Sequence, residues 1–242
     1  MPWANACSAH GMRKRLAHAP ELLDDDVHDP AELEQSLDQV AEVNAMLGGR
    51  RAAWRAVLPL LRAEGTTSIL DIGTGSADIP MDLASRATRA RRLVRITATD
   101  VHAQIREIAS RRTADVPAIT VADADALALP FDNDSHDIVL LSMTLHHFEE
   151  AEQVTALREA GRVARCAVIV NELERCRANW VGARFLAATR WRGNRITRHD
   201  GPLSVLRAFT GAELAATART AGLTVESVRR RWFFRLVMVA RP

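Results

Sequence analysis

Three acids, each at the end of an apolar run, are the residues of this 242-residue chain best placed to do chemistry. Asp71 lies within Ile69-Leu70-Asp71-Ile72, just before Gly73-Thr74-Gly75; Asp100 follows the run 93–99, and Asp123 follows 118–122. A carboxylate beside a glycine turn suits a ligand carrying a positive amine and no pyrophosphate. An acid closing the next strand can accept from both hydroxyls of a ribose. One closing the strand after that can accept from a purine amino group, while the following backbone amide, that of Ala124, donates to the ring. Two histidines, His146 and His147, follow a fourth apolar run, 136–142, and His199 stands beside Asp200. With an unperturbed pKa of about 6.5, a histidine in such a place can take a proton from a hydroxyl. The other reading is that one of the pair packs or caps the next helix and that His199 is a loop residue.

These groups work together only if strands deliver them to one edge of a sheet. Ile69, Leu70 and Ile72 suit a strand buried on both faces, and Gly73 and Gly75 permit a tight turn after it. Asp78 reads as the N-cap of a helix running to 90, with Pro80 in its first turn and Asp82 complementing its N-terminus. Further strands are predicted at 93–99, 118–122, 136–142 and 167–170, the last ending at Asn171-Glu172, with helices at 102–110 and 149–162. Asp137, at the start of the fourth strand, reads as structural. Thr210 and Glu213 form a capping box for a helix ending at Gly222, followed by strands at 223–231 and 232–240. Acids after three successive parallel strands share one sheet edge, where such folds bind ligands. Ahead of the sheet, 1–29 reads as a flexible arm with offsetting basic and acidic clusters. Residues 30–62 read as a helix pair broken at Gly48-Gly49, and 63–242 as the core, with an insertion at 173–209.

The turn departs from a dinucleotide fingerprint, whose third glycine would fall at Asp78. Asp71-x-Gly73-x-Gly75 instead resembles the first motif of class I S-adenosylmethionine-dependent methyltransferases, with Ala77 at the usual third small position. The series Asp-Ala-x-x-Leu-x-Leu-Pro-Phe at 123–131 resembles the third motif of that family. Leu145-His146-His147-Phe148 is similar to a segment common among its small-molecule members. The resemblance spans 69–240, through motifs as far as Phe148 and by topology beyond. It implies an α/β, Rossmann-like fold: a seven-stranded, mostly parallel sheet with helices on both faces, its last strand antiparallel. It also implies S-adenosylmethionine as cofactor, held by Asp71, Gly73, Gly75, Asp100, Val101, Asp123, Ala124 and Ser142. The helix pair becomes an N-terminal cap, or else packs ordinarily on the sheet, and the insertion after the fifth strand builds the acceptor pocket. Among the candidate catalytic residues, His147 is preferred as base over His146 and His199. The overall pattern also resembles quinone-biosynthesis methyltransferases, which methylate carbon.

Composition narrows the acceptor. With 32 basic and 30 acidic residues the net charge is +2, too balanced to call for nucleic acid by itself. No run of about 18 apolar residues exists to span a membrane. Three cysteines without metal-ligand spacing favour a reducing, cytoplasmic setting. Tyrosine is absent, which excludes the Asn/Asp-Pro-Pro-Tyr motif of amino-group methylases. Ser142 stands where metal-dependent catechol-type enzymes offer an acid, so no metal is expected. Cys176 lacks the surroundings of an RNA methylase nucleophile and reads as structural. The insertion interleaves eight arginines with Trp180, Phe185, Leu186, Trp191 and Ile196. That suits an apolar lid over a flat acceptor, the arginines either holding a carboxylate or phosphate on it or forming a solvated face. The expected activity is O-methylation of a small aromatic, phenolic or polyketide-type acceptor of secondary metabolism. C-methylation of a quinone-type ring, RNA methylation and non-catalytic cofactor binding are the alternatives. A homodimer is open, because an apolar N-terminal helix can cap its own domain or a partner's.

Overall fold

The computed structural model describes residues 15–16, 19–25 and 27–242. Seven strands form one sheet: β1 (Thr66–Ile72), β2 (Leu93–Asp100), β3 (Ile119–Asp123), β4 (His136–Ser142), β5 (Ala164–Leu173), β6 (Thr224–Arg231) and β7 (Arg235–Arg241). Their spatial order is β3-β2-β1-β4-β5-β7-β6. Strands β1 to β5 run parallel, while β7 lies antiparallel to both β5 and β6. Strand alternation explains the near-continuous apolar runs. Leu70, Ile72, Val139 and Leu141 join the core on one face, and Ile69, Ile138 and Leu140 that on the other. Strand β1 pairs with β2 on one side and β4 on the other, so strand order reverses there and a crevice opens beyond its C-terminal end.

The helices are α1 (Pro30–Met46), α2 (Gly49–Val57), α3 (Asp78–Arg89), α4 (Ala103–Thr113), α5 (Glu150–Val163), α6 (Arg177–Ala188), α7 (Arg195–Arg207) and α8 (Gly211–Thr220). Asp29 caps α1 by accepting from the Glu32 N–H at 2.9 Å, and Thr210 and Glu213 form the capping box of α8. Gly48, at φ 79°, breaks the chain between α1 and α2. Asp137 is structural, holding Arg62, Arg165 and the backbone of Ser68. Among the described residues no helix is long and apolar enough to cross a membrane.

Three expectations change. Asp78 is not the N-cap of α3. That place is taken by Ala77 at φ 59°, and the Asp78 carboxylate instead accepts from Asn44 of α1 (3.3 Å) and Arg50 of α2 (3.0 Å), docking the helix pair onto the core. His199 is not a loop residue but lies, with Gly201 and Pro202, inside α7. A Cβ on Gly201 would sit 2.4 Å from Trp191 Cζ3, so glycine there lets the indole lie flat on the helix. Finally, the described part of the arm is no solvated tail. Leu22 and Leu23 donate their N–H groups to the Asp200 carboxylate at 2.8 and 2.9 Å, and Glu21 is buried. Cys7, Arg13 and Lys14 lie outside the described residues.

Candidate active site

A cavity of about 590 Å³ opens over the C-terminal ends of β1, β2 and β4, roofed by α1, α6, α7 and the strap 19–25. The glycine turn forms its floor. Gly73, at φ 66°, leaves no room for a Cβ, which would lie 2.4 Å from the Thr144 side chain; that hydroxyl donates to the Ile72 carbonyl at 2.9 Å. Gly75, at φ 54°, has its Cβ direction open except for Leu37 at 3.8 Å, so a ligand can approach the backbone closely. Asp71 is fully buried against this floor, and its Oδ1 makes no hydrogen bond. Burial pushes its pKa up to about 7; the negative charges of Asp78 and Asp100 add to the rise, and the Thr74 hydroxyl opposes it. A buried carboxylate with no cation beside it, in a glycine-floored cavity, fits the ammonium of a cofactor bearing an amino-acid group.

The other expected cofactor residues divide. Asp100 accepts from the N–H groups of Gly75 and His102, each at 3.1 Å. Each of its oxygens keeps a lone pair for a hydroxyl. Val101, Ala124 and Ser142 line the same cavity. Asp123 does not. It is 69 % exposed and held at 2.9 Å by Arg106, while Asp125 and Ala126 line the wall. The chain bends after β3, where Asp125 takes the Leu127 N–H at 2.8 Å and bridges to Ala128, and this brings Ala124, Asp125 and Ala126, but not Asp123, to the cavity wall. The repeat of Asp-Ala at 125–126, two residues nearer Leu-Pro-Phe, was the available signal.

The histidines also divide. His199 is half exposed, bonded to Asp200 at 2.6 Å and outside the cavity wall, so the structure does not bring it to the other two. His146 and His147 both face the cavity from the single turn Leu145–His147. His147 donates from Nδ1 to Asp24 at 2.7 Å, with Glu21 at 3.9 Å from Nε2. Burial pulls its pKa down, but the charges of Glu21 and Asp24 outweigh that and hold it at about 9. That raised value and the tie of Nδ1 to Asp24 argue against His147 as the base and leave His146 the better placed of the pair. His146 is fully buried and donates from Nδ1 to Glu172 at 2.8 Å, which leaves Nε2 toward the cavity and Glu21. Despite its own burial, the Glu172 carboxyl is held below its usual range by His146 and His147. Glu172 had a sequence signal, as an acid at the end of β5. Glu21 and Asp24 had none, because they read as members of a solvated acidic cluster.

The acceptor side is apolar, walled by Leu23, Val43, Phe148, Phe185, Trp191 and Phe233. None of the eight insertion arginines lines it. Six are exposed, Arg175 pairs with Glu213, and Arg207 is spent on the carbonyls of His146 and His147. Of the two readings of these arginines, anion capture inside the pocket is thus set aside.

Residues 69–166 match the methyltransferase domain family. With the strand order, the glycine floor and the strand-end acids, that match places a methyltransferase domain of the S-adenosylmethionine-dependent kind at 69–166. It is similar, at 28% identity over 94% of its length, to an uncharacterized 37.1 kDa protein in transposon TN4556 of Streptomyces fradiae, and it covers 63% of that protein. It is also similar to a demethylmenaquinone methyltransferase of Roseiflexus castenholzii, at 34% identity over 57% of this chain and 55% of the relative. The chain thus spans between about half and two thirds of the length of these curated relatives. An O-methyltransferase from neocarzinostatin biosynthesis, in complex with S-adenosyl-L-homocysteine and 1,4-dihydroxy-2-naphthoic acid, shares the fold. Its TM-score is 0.65 at 19% identity, covering 88% of this chain and 59% of that one.

Proposed function

We propose that this chain transfers a methyl group to an oxygen of a small, flat, largely neutral aromatic acceptor. The carrying observation is an apolar chamber, free of arginine, that joins the cofactor floor at the His146–Glu172 pair. When bound, S-adenosylmethionine supplies a methyl carbon on a sulfonium; transfer to the acceptor oxygen leaves both electrons of the broken C–S bond on sulfur. The protein's own work is alignment and proton handling. Asp71 takes the cofactor's ammonium, Asp100 its ribose, and Asp125-Ala126 its base edge. Phe148, Phe185 and Trp191 hold the acceptor ring and exclude water, and such alignment supplies up to about 7–11 kcal/mol in favourable cases. His146, its tautomer set by Glu172, takes the acceptor's hydroxyl proton on Nε2. The neocarzinostatin relative's dihydroxynaphthoic acid supports an oxygen acceptor on a fused ring. The demethylmenaquinone relative supports a second reading, C-methylation of a quinol ring.

The test is calorimetry with S-adenosylhomocysteine, followed by product analysis on a panel of naphthols and quinols. Binding should weaken at least tenfold in Asp71→Ala and Asp100→Ala; unchanged affinity in both removes the site. His146→Ala should lower kcat by about 10²–10⁴-fold, whereas His199→Ala should not change it. A methyl on ring carbon in the product would replace O-transfer by the second reading.

A further inference from the structure

Glu21, His146 and His147 present one ligand atom each within 4.8 Å of one another, at the wall of the acceptor chamber. Both imidazoles are tied at the back: His146 Nδ1–H to Glu172 at 2.8 Å and His147 Nδ1–H to Asp24 at 2.7 Å. Their Nε2 atoms are thereby turned toward Glu21, at 3.8 Å and 3.9 Å from its two oxygens. A carboxylate holding the far nitrogen is the usual support for a metal-ligating histidine, because it fixes the tautomer and aims the free nitrogen. Glu21 is 2 % exposed, and its Oε1 has no hydrogen-bond partner, although Oε2 accepts from Ser204 at 2.9 Å. Three carboxylates, Glu21, Asp24 and Glu172, surround the two rings. Arg207 approaches Glu21 at 3.5 Å but directs its donors to the carbonyls of His146, His147 and Ala19.

We propose that Glu21, His146 and His147 bind a divalent first-row transition metal such as Zn²⁺, with the remaining coordination positions open to the acceptor chamber. Two histidines and one carboxylate with open positions is the donor set of catalytic zinc and non-haem iron sites. Ligands 2.0–2.2 Å from a tetrahedral metal lie roughly 3.4 Å apart, so the 3.8 and 3.9 Å separations of the two Nε2 atoms from Glu21 close by about 0.5 Å on binding. This rests on the methyl-transfer reading and deepens it. A hydroxyl of the acceptor coordinated there loses its proton to solvent, because the metal stabilises the alkoxide or phenolate, and its lone pair then forms the bond to the methyl carbon. His146 serves in that state as a ligand, in place of its role as base. Ser142 still offers no acid at the catechol-type position; the cation is expected on a different edge of the cavity.

The test uses the full chain stripped with chelator. Zn²⁺ titrated by calorimetry should bind one equivalent with micromolar or tighter affinity. Co²⁺ should give visible d–d bands without a thiolate charge-transfer band. Glu21→Gln and His147→Ala should each weaken Zn²⁺ at least tenfold, and Glu172→Gln about 10–100-fold, while S-adenosylhomocysteine affinity, the check on folding, stays unchanged. Should His147→Ala lose that affinity, Glu21→Gln decides alone. Absence of saturable binding, or unchanged binding in Glu21→Gln, overturns the site. Stripped enzyme that transfers methyl at full rate overturns the metal and leaves the transferase standing. Zn²⁺ binding without any S-adenosylhomocysteine binding would do the reverse.

Discussion

Asp71 shows how a single buried group links folding to cofactor binding. Its pKa in the folded chain, about 7, stands above the ordinary 3.8, so the native state binds this proton more tightly than the unfolded one. Unfolding free energy therefore falls as pH rises from about 4 to about 7, and above 7 the full cost, about 4 kcal/mol, is present. The charged groups facing it, Asp78 and Asp100, are both acids and deepen the cost. Asp71→Asn should thus raise the melting temperature of the cofactor-free protein at pH 8, with little change at pH 4, while weakening S-adenosylhomocysteine at least tenfold. A thermal-shift series across pH checks both, and equal stabilisation at the two pH values would contradict the assignment. An ammonium beside Asp71 reverses the sign of the interaction, so affinity for the same ligand should tighten between pH 6 and 8.

At the scale of elements, Arg235 at the head of β7 connects parts that are distant in sequence. It is fully buried, donates to Asn44 of α1 at 2.8 Å and reaches Met143 beyond β4. Burial lowers its pKa to about 10, with Glu172 and Asp78 pulling the other way. The N-terminal helix pair is held to the sheet through this side chain and through Asp78. Arg235→Met leaves two buried acids less compensated and should cost about 3–5 kcal/mol in urea unfolding; an unchanged midpoint would show that the helix pair is held by apolar contacts alone. Asn44 lies on the buried face of α1, and periodicity reports which side faces in and not which partner waits there.

For the molecule as a whole, the strap 19–25 and α7 close the chamber together. The Asp200 carboxylate takes two strap N–H groups, and Ser204 of α7 donates to Glu21. His102 and Gln104, beyond β2, hold the strap's next stretch through the backbone of Asp25 and His28. One segment therefore spans the cofactor and acceptor sides. Asp200→Ala orphans the two N–H groups and should raise the acceptor KM about tenfold while leaving S-adenosylhomocysteine affinity intact. It should also speed proteolysis at 19–29, which limited digestion reads directly. Digestion and KM unchanged from the parent would show that the strap closes without this anchor.

The sheet, its glycine turn and its cofactor were legible from the chain itself. β-branched runs, turn glycines and strand-end acids are local features, and strand parity carries them to one edge whatever surrounds them. Locality also has a limit at Asp123, which faces outward because a bend after β3 brings Asp125 to the cavity wall instead. What tertiary structure alone decided was the acceptor side. Glu21, His146, His147 and Glu172 come from three separated stretches, and their charges act on one another only across space. His147 read as the preferred base in isolation, and the charges of Glu21 and Asp24 raise its pKa to about 9. The insertion arginines read as either anion ligands or a solvated face, and the second holds for the six that are exposed. Periodicity and motif can place a residue on an edge; which charges then meet there depends on how the strap and insertion fold back over it.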